Sequence, residues 1–156
     1  MDKQKLMEQA VRVAHENVES GHGGPFGAIV VKDGVIIGVG RNEVTALHDP
    51  TAHAEVQAIR QACRHLNDHQ LADCEMYTSC EPCPMCFGAI YWARPKAVYY
   101  ACTKEDAAKA GFDDRFIYEQ LELPMERRSI EMKRVYPADG DLPFQAWMKS
   151  ANRVEY

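Results

Sequence analysis

The sequence predicts an α/β fold in a single domain, and three observations carry that expectation. Helical and strand-like hydrophobic patterns alternate over the first hundred residues. A two-residue hairpin signal, Asp33-Gly34, sits between two β-branched apolar runs. Each later strand pattern is reached through a helical one, which implies parallel pairing and helices covering a sheet. The length, 156 residues, suits one domain with a sizeable core. No internal repeat, low-complexity segment or linker interrupts it.

Taken in order, residues 2–20 place Leu6, Ala10, Val11, Val13, Ala14 and Val18 at helical spacing, and Gly21, Gly23, Gly24 and Pro25 end the pattern. Residues 26–32 read as a strand, Asp33-Gly34 as the turn and residues 35–40 as the return strand. Residues 41–52 are a polar loop punctuated by Asp49-Pro50-Thr51. A second helix fits residues 53–66, and the next strand residues 75–79. Pro82 opens a third helix over residues 83–93, and Pro95 closes it. Residues 97–101 are a fourth strand. Beyond 102 the patterns thin: a loop at 111–114, a short helix over 114–121, an alternating fifth strand over 130–136 and a terminal helix over 143–152.

Net charge is −5, with nine basic and twelve acidic groups before residue 104 and nine and eleven after it. Neither part is basic, which disfavours a phosphate-tracking surface and points to a small molecule or a protein as partner. No apolar run approaches the roughly 18 residues that span a bilayer, and the N-terminus lacks a signal-peptide pattern. A soluble, cytoplasmic protein is expected. Six cysteines are present, but Cys80, Cys83 and Cys86 are bunched at three-residue steps, which suggests a metal before a disulfide framework.

The chemistry concentrates in His53-Ala54-Glu55 and Pro82-Cys83-Pro84-Met85-Cys86. Cysteines three apart at a helix start face one way and meet the positive end of the helix dipole, which favours thiolate. Two thiolates and one imidazole make a three-ligand zinc site with the fourth position open to water, the mark of catalytic zinc. His53 and Glu55 point roughly 200° apart on a regular helix, so they share a site only if the helix begins there. Glu55 would then move protons without binding the metal. The alternative is a structural site: Cys80 extends the run, and His53 with three cysteines would close the tetrahedron. A redox role for Cys80-x-x-Cys83 is a further alternative, weakened by the metal's claim on Cys83.

The His-x-Glu and Pro-Cys-x-x-Cys halves together resemble the cytidine deaminase-like superfamily of zinc hydrolases. The similarity extends through Gly23-Gly24-Pro25-Phe26-Gly27-Ala28, Pro50-Thr51-Ala52, Tyr77-Thr78-Ser79-Cys80-Glu81, Gly88-Ala89-Ile90-Tyr91-Trp92-Ala93-Arg94, Ala110-Gly111-Phe112-Asp113-Asp114 and Phe144-Gln145-Ala146-Trp147. These segments are similar to the small bacterial guanine deaminases of that superfamily, over nearly the whole chain. The resemblance implies a three-layer α/β/α cytidine deaminase-like fold with a five-stranded mixed sheet. It implies one deaminase domain over residues 1–156, a homodimer in which a C-terminal segment from about residue 130 is exchanged, and zinc-dependent hydrolysis of guanine to xanthine and ammonia. It further implies one Zn²⁺ on His53, Cys83 and Cys86, with Glu55 as the catalytic carboxylate. Phe26 would lie under the purine ring, Asn42 and the Ala54 backbone on its polar edge, Asp114 on its N–H groups, and Tyr156 would close the pocket.

Each contact also has a plainer reading. Phe26 is a strand-start aromatic, Asn42 a turn residue, Asp114 a helix cap and Tyr156 a chain end. The remaining histidines read as solvated or satisfied, Cys63, Cys74 and Cys102 as buried reduced thiols, and Trp92 and Trp147 as packing residues. Deamination of a related base or nucleoside (guanosine, cytosine, cytidine or the adenosine of a tRNA) is the nearest rival, and a non-catalytic zinc-stabilised binding module the next.

Overall fold

Residues 2–156 are described by a computed structural model, and they divide into two compact units, one ending at Asp114 and the other running Arg115–Tyr156. In the first unit, Asp2 caps helix α1 (Lys3–Glu19) by accepting a hydrogen bond from the Lys5 backbone N–H. Strands β1 (Gly27–Lys32) and β2 (Val35–Arg41) form the expected hairpin. Asp33 and Gly34 have φ of 50° and 77°, the two positive values that a type I′ turn requires. The polar loop beyond contains a short helix α2 (Val44–Leu47). Helix α3 (Ala54–Leu66), β3 (Cys74–Cys80), α4 (Pro84–Ala93) and β4 (Ala97–Cys102) follow.

The sheet order is β2-β1-β3-β4, with β1 antiparallel to both neighbours and β3 parallel to β4. Strands β2 and β3 therefore run the same way with β1 between them, as a crossover through α3 demands. Alternation along the strands separates two cores. Ala28, Val30 and Met76 pack with Ala54, Ala58 and Ala62 of α3 and with Ile90 and Ala93 of α4. Ile29, Val31 and Tyr77 pack with Leu6 and Ala10 of α1. The first unit is thus a three-layer α/β/α sandwich.

Among the described residues the expected fifth strand is absent, and the sheet has four strands. Residues 130–136 carry no strand, and Ile130 and Val135 are 75% and 89% exposed. Alternation describes two faces, but a strand also needs a ladder of backbone hydrogen bonds, and this segment has none among the described residues. Helix α5 (Lys104–Lys109) was not anticipated; Thr103 and Asp106 form a reciprocal capping box at its start. The second unit contains α6 (Arg115–Glu122), a 3₁₀ turn (Met125–Arg127) and α7 (Leu142–Lys149). Arg128 Nε there donates to the carbonyls of Gln120 and Leu123, tying the turn to the end of α6. No helix of the described residues is long and apolar enough to cross a membrane.

Helix α3 carries half of the candidate site, and two glycines set how closely it lies on β2. A Cβ at Gly40 would stand 2.0 Å from the Ala54 carbonyl oxygen, and one at Gly38 2.6 Å from that of Ala58. Both obstacles are helix backbone, which cannot rotate away. Gly40→Ala is expected to push the α3 N-terminus off the sheet and cost at least about 2 kcal/mol, on the scale of core overpacking. Denaturant unfolding checks this; a midpoint equal to wild type would show that the contact yields easily.

Candidate active site

The loop before α3 is built to deliver His53 at a helix boundary. Asp49 Oδ1 accepts from both the N–H and the hydroxyl of Thr51, at 2.8 and 2.7 Å, a local turn that leads the chain into the helix. His53 is the N-cap, with extended backbone (φ −72°, ψ 156°), and Ala54 is the first helical residue. This break resolves the 200° problem, because His53 lies outside the helix and Glu55 inside its first turn. Cys83, the expected first residue of the third helix, is likewise the N-cap of α4, with Pro84 opening the helix one residue later and Cys86 in its first turn. Two helix N-termini thus face one another across the site, a positive environment suited to thiolates.

His53 Nδ1 lies 3.5 Å from Cys83 Sγ and 3.5 Å from Cys86 Sγ. The three ligand atoms fall within 4.8 Å of one another. Two ligands about 2.0–2.3 Å from one ion at the tetrahedral angle stand roughly 3.5 Å apart, so the arrangement fits a shared zinc in both spacing and donor chemistry. Cys83 is lowered to about 4, chiefly by its hydrogen bond with Cys86 and then by His53. Its partner Cys86 is pushed up by the same hydrogen bond and by burial. His53 is raised, first by its hydrogen bond with Cys83.

Glu55 is buried, and burial raises its carboxyl above the ordinary range. Its Oε1 lies 3.3 Å from Thr78 Oγ1, which fixes the carboxyl from strand β3. A buried carboxyl beside Cys86 and His53 is suited to proton transfer near neutral pH.

A family model described as the cytidine and deoxycytidylate deaminase zinc-binding region matches residues 1–102, which contain the whole of this cluster. The chain belongs to the cytidine and deoxycytidylate deaminase family. Along its full length it is 57% identical to guanine deaminase of Bacillus subtilis, with all of both chains covered. The X-ray structure of a Bacillus subtilis guanine deaminase, 57% identical, superposes with a TM-score of 0.98 over 100% of this chain and 99% of that one. A guanine deaminase from Nitrosomonas europaea is 33% identical, with a TM-score of 0.69 over 72% of this chain and 65% of that one. A tRNA-specific adenosine deaminase of Aquifex aeolicus is 45% identical over 101 residues, 65% of this chain and 66% of its own.

In this member of the deaminase family Cys80 stands apart from the metal-ligand cluster. Its Sγ donates to the Thr103 carbonyl at 3.5 Å, and burial pushes its thiol up to about 11. Phe26 is half-buried, and its ring meets that of Phe112 edge-to-face with centroids 5.0 Å apart. Asn42 is buried at the end of β2; its Oδ1 accepts from the Val44 N–H, the turn bond of its plainer reading. Ala54 is fully buried next to His53. Asp114 is half-buried at the end of the first unit, and its carboxyl is raised by burial, with Cys83 close enough to add to the effect. Tyr156 is exposed and belongs to the second unit.

Sequence reasoning missed Phe112 as a partner of Phe26, although Gly111, with φ of 96°, already marks a sharp turn beside it. It also missed Thr78, which no local pattern ties to Glu55. Of the cysteines read as buried, Cys74 is buried, Cys63 half-buried and Cys102 exposed. Trp92 and Trp147 are 62% and 41% exposed and are not core residues of this chain.

Proposed function

We propose that this chain hydrolyses guanine to xanthine and ammonia, with zinc held by His53, Cys83 and Cys86. The observation that carries this reading is the compact His–Cys–Cys cluster with a buried Glu55 beside it, in a chain resembling guanine deaminase from end to end. Bound there, zinc supplies the Lewis acidity that makes water a nucleophile near neutral pH. Glu55 accepts a proton from the attacking water and delivers it to the ring nitrogen beside C2 of guanine. The water oxygen adds to C2; Glu55 then takes the proton of that new hydroxyl and passes it to the C2 amino nitrogen, and the C2–N bond breaks to release ammonia. One carboxylate thus serves two steps, and no covalent bond between enzyme and substrate is needed. Phe26, steadied by Phe112, stacks on the purine, and Asn42 and the Ala54 backbone meet its polar edge. Asp114, when ionised, only accepts hydrogen bonds, which suits the N–H donors of guanine and rejects adenine, whose N1 carries no proton. The assignment is tested by incubating the metal-loaded protein with guanine, with xanthine and ammonia expected in equal amounts. Ammonia without xanthine would refute it.

The same reading makes the protein a homodimer with exchanged C-terminal segments, working as one deaminase domain per chain in the cytoplasm. Phe87, Tyr91 and Trp92 are exposed on α4, and none of residues 115–156 is buried within this chain. Apolar surface on that scale calls for a partner, and a second copy supplies one. Tyr156 then closes the partner subunit's pocket. Deletion of Tyr156 is expected to lower kcat/KM at least about tenfold, as loss of a closing group does, with Tm nearly unchanged. Unaltered kcat/KM would refute the closing role.

A further inference from the structure

Three segments around the base-binding residues are joined by one buried side chain. Asn17 of α1 is 1% exposed. Its Nδ2 donates to the Gly24 carbonyl at 2.8 Å and to the Asn42 carbonyl at 3.0 Å. The Gly24 carbonyl also accepts from the Phe26 N–H, and the Asn42 N–H donates to the Phe26 carbonyl. One amide group therefore sets the register between the backbone of Phe26 and that of Asn42. The fit is close: a Cβ at Gly23 would stand 2.2 Å from the Asn42 carbonyl oxygen and 3.1 Å from Asn17 Nδ2. Asn17 Oδ1 is the single buried side-chain N or O without a hydrogen-bond partner among the described residues.

The same two segments are tied again from outside. His22 Nε2 lies 3.0 Å from Glu43 Oε2, and Gln57 of α3 donates to Glu43 Oε1 at 3.1 Å. Neither Asn17 nor the His22–Glu43 pair belongs to the ligand cluster. We propose that Asn17 and the His22–Glu43 pair form a two-sided clamp that positions Phe26 and Asn42 and so determines how well the site grips its base. This rests on the placement of Phe26 and Asn42 against the base under the proposed function. These are positioning residues, and their loss acts on substrate binding more than on the proton transfers of Glu55.

The test is steady-state kinetics of Asn17→Ala, Asn17→Asp and His22→Ala in the metal-loaded protein, on whichever base of a purine and pyrimidine panel wild type turns over fastest. Failure of the guanine assignment alone therefore leaves the clamp testable. The expected result is a KM raised at least about tenfold by either Asn17 substitution and a few-fold by His22→Ala, with kcat within about threefold of wild type, the signature of lost binding. Asn17→Asp is expected to be at least as severe as Asn17→Ala, because it turns an oxygen toward two carbonyls. Leu6→Val, in the opposite core, controls for stability. KM for the Asn17 variants no higher than for Leu6→Val would overturn the proposal, as would a fall confined to kcat. If the Asn17 variants fail to fold, His22→Ala decides, and an unchanged KM there overturns it.

Discussion

Glu55→Gln is expected to keep the metal and lose at least about a thousandfold in kcat, toward the upper end of what a positioned general acid–base contributes. The substitution preserves shape and volume at a buried position and leaves an oxygen or nitrogen for Thr78 Oγ1 to meet. It removes the one property required of the residue, the ability to take a proton and give it back. It also removes a carboxyl that burial raises and that costs energy to ionise, so Tm should hold or rise. Metal content and ammonia release measured on the same sample check both halves. Turnover at the wild-type rate would remove Glu55 from the mechanism; loss of metal would recast it as a ligand.

The second large effect is expected at Cys86. It is fully buried in the first turn of α4, its Sγ 3.5 Å from His53 Nδ1. Cys86→Ser changes little in size but replaces a thiolate with a poor zinc ligand. Under the proposed function metal affinity should fall at least about a hundredfold and turnover with it, because a cluster of three donors has no spare. Metal bound only to the folded state also stabilises it, so Tm of the variant should drop to that of the chelated wild type and no further. Cys80→Ser is the informative contrast. Cys80 lies outside the cluster with its thiol on the Thr103 carbonyl, so this variant should keep both metal and turnover. Metal loss from Cys80→Ser would mean a closed four-ligand site, and the binding-module reading would return.

Most of the first unit was legible because its signals are local. Asp33-Gly34 names its own turn, since few residues other than Gly, Asn and Asp accept two positive φ values. The helices over 54–66 and 84–93 were visible from periodicity and flanking prolines to within one residue at each start. That one residue proved decisive. His53 and Cys83 are N-caps and not helical residues, and only from outside the helix can His53 share a site with Glu55. The alternation at 130–136 misled because a strand is a pairing and not a pattern. Exposure of Trp92 and Phe87 was equally illegible: apolar residues on a helix do not say whether their cover comes from the same chain.

The grouping of His53, Cys83 and Cys86 was legible because metal chemistry restricts residue type and spacing together. The support around it was not. Asn17 reaches Asn42 across 25 positions, and Thr78 reaches Glu55 across 23. Nothing in the local sequence of either residue distinguishes it from an ordinary helix or strand position. The net charge of −5 sets a tRNA backbone at a disadvantage against a neutral base.

The most direct measurement is ammonia release from guanine, guanosine, adenine, cytosine and cytidine, each with and without a chelator. The predicted result is rapid release from guanine that the chelator abolishes and zinc restores, with little from the other four. Strong chelator-sensitive release from cytosine or cytidine, with none from guanine, would contradict it.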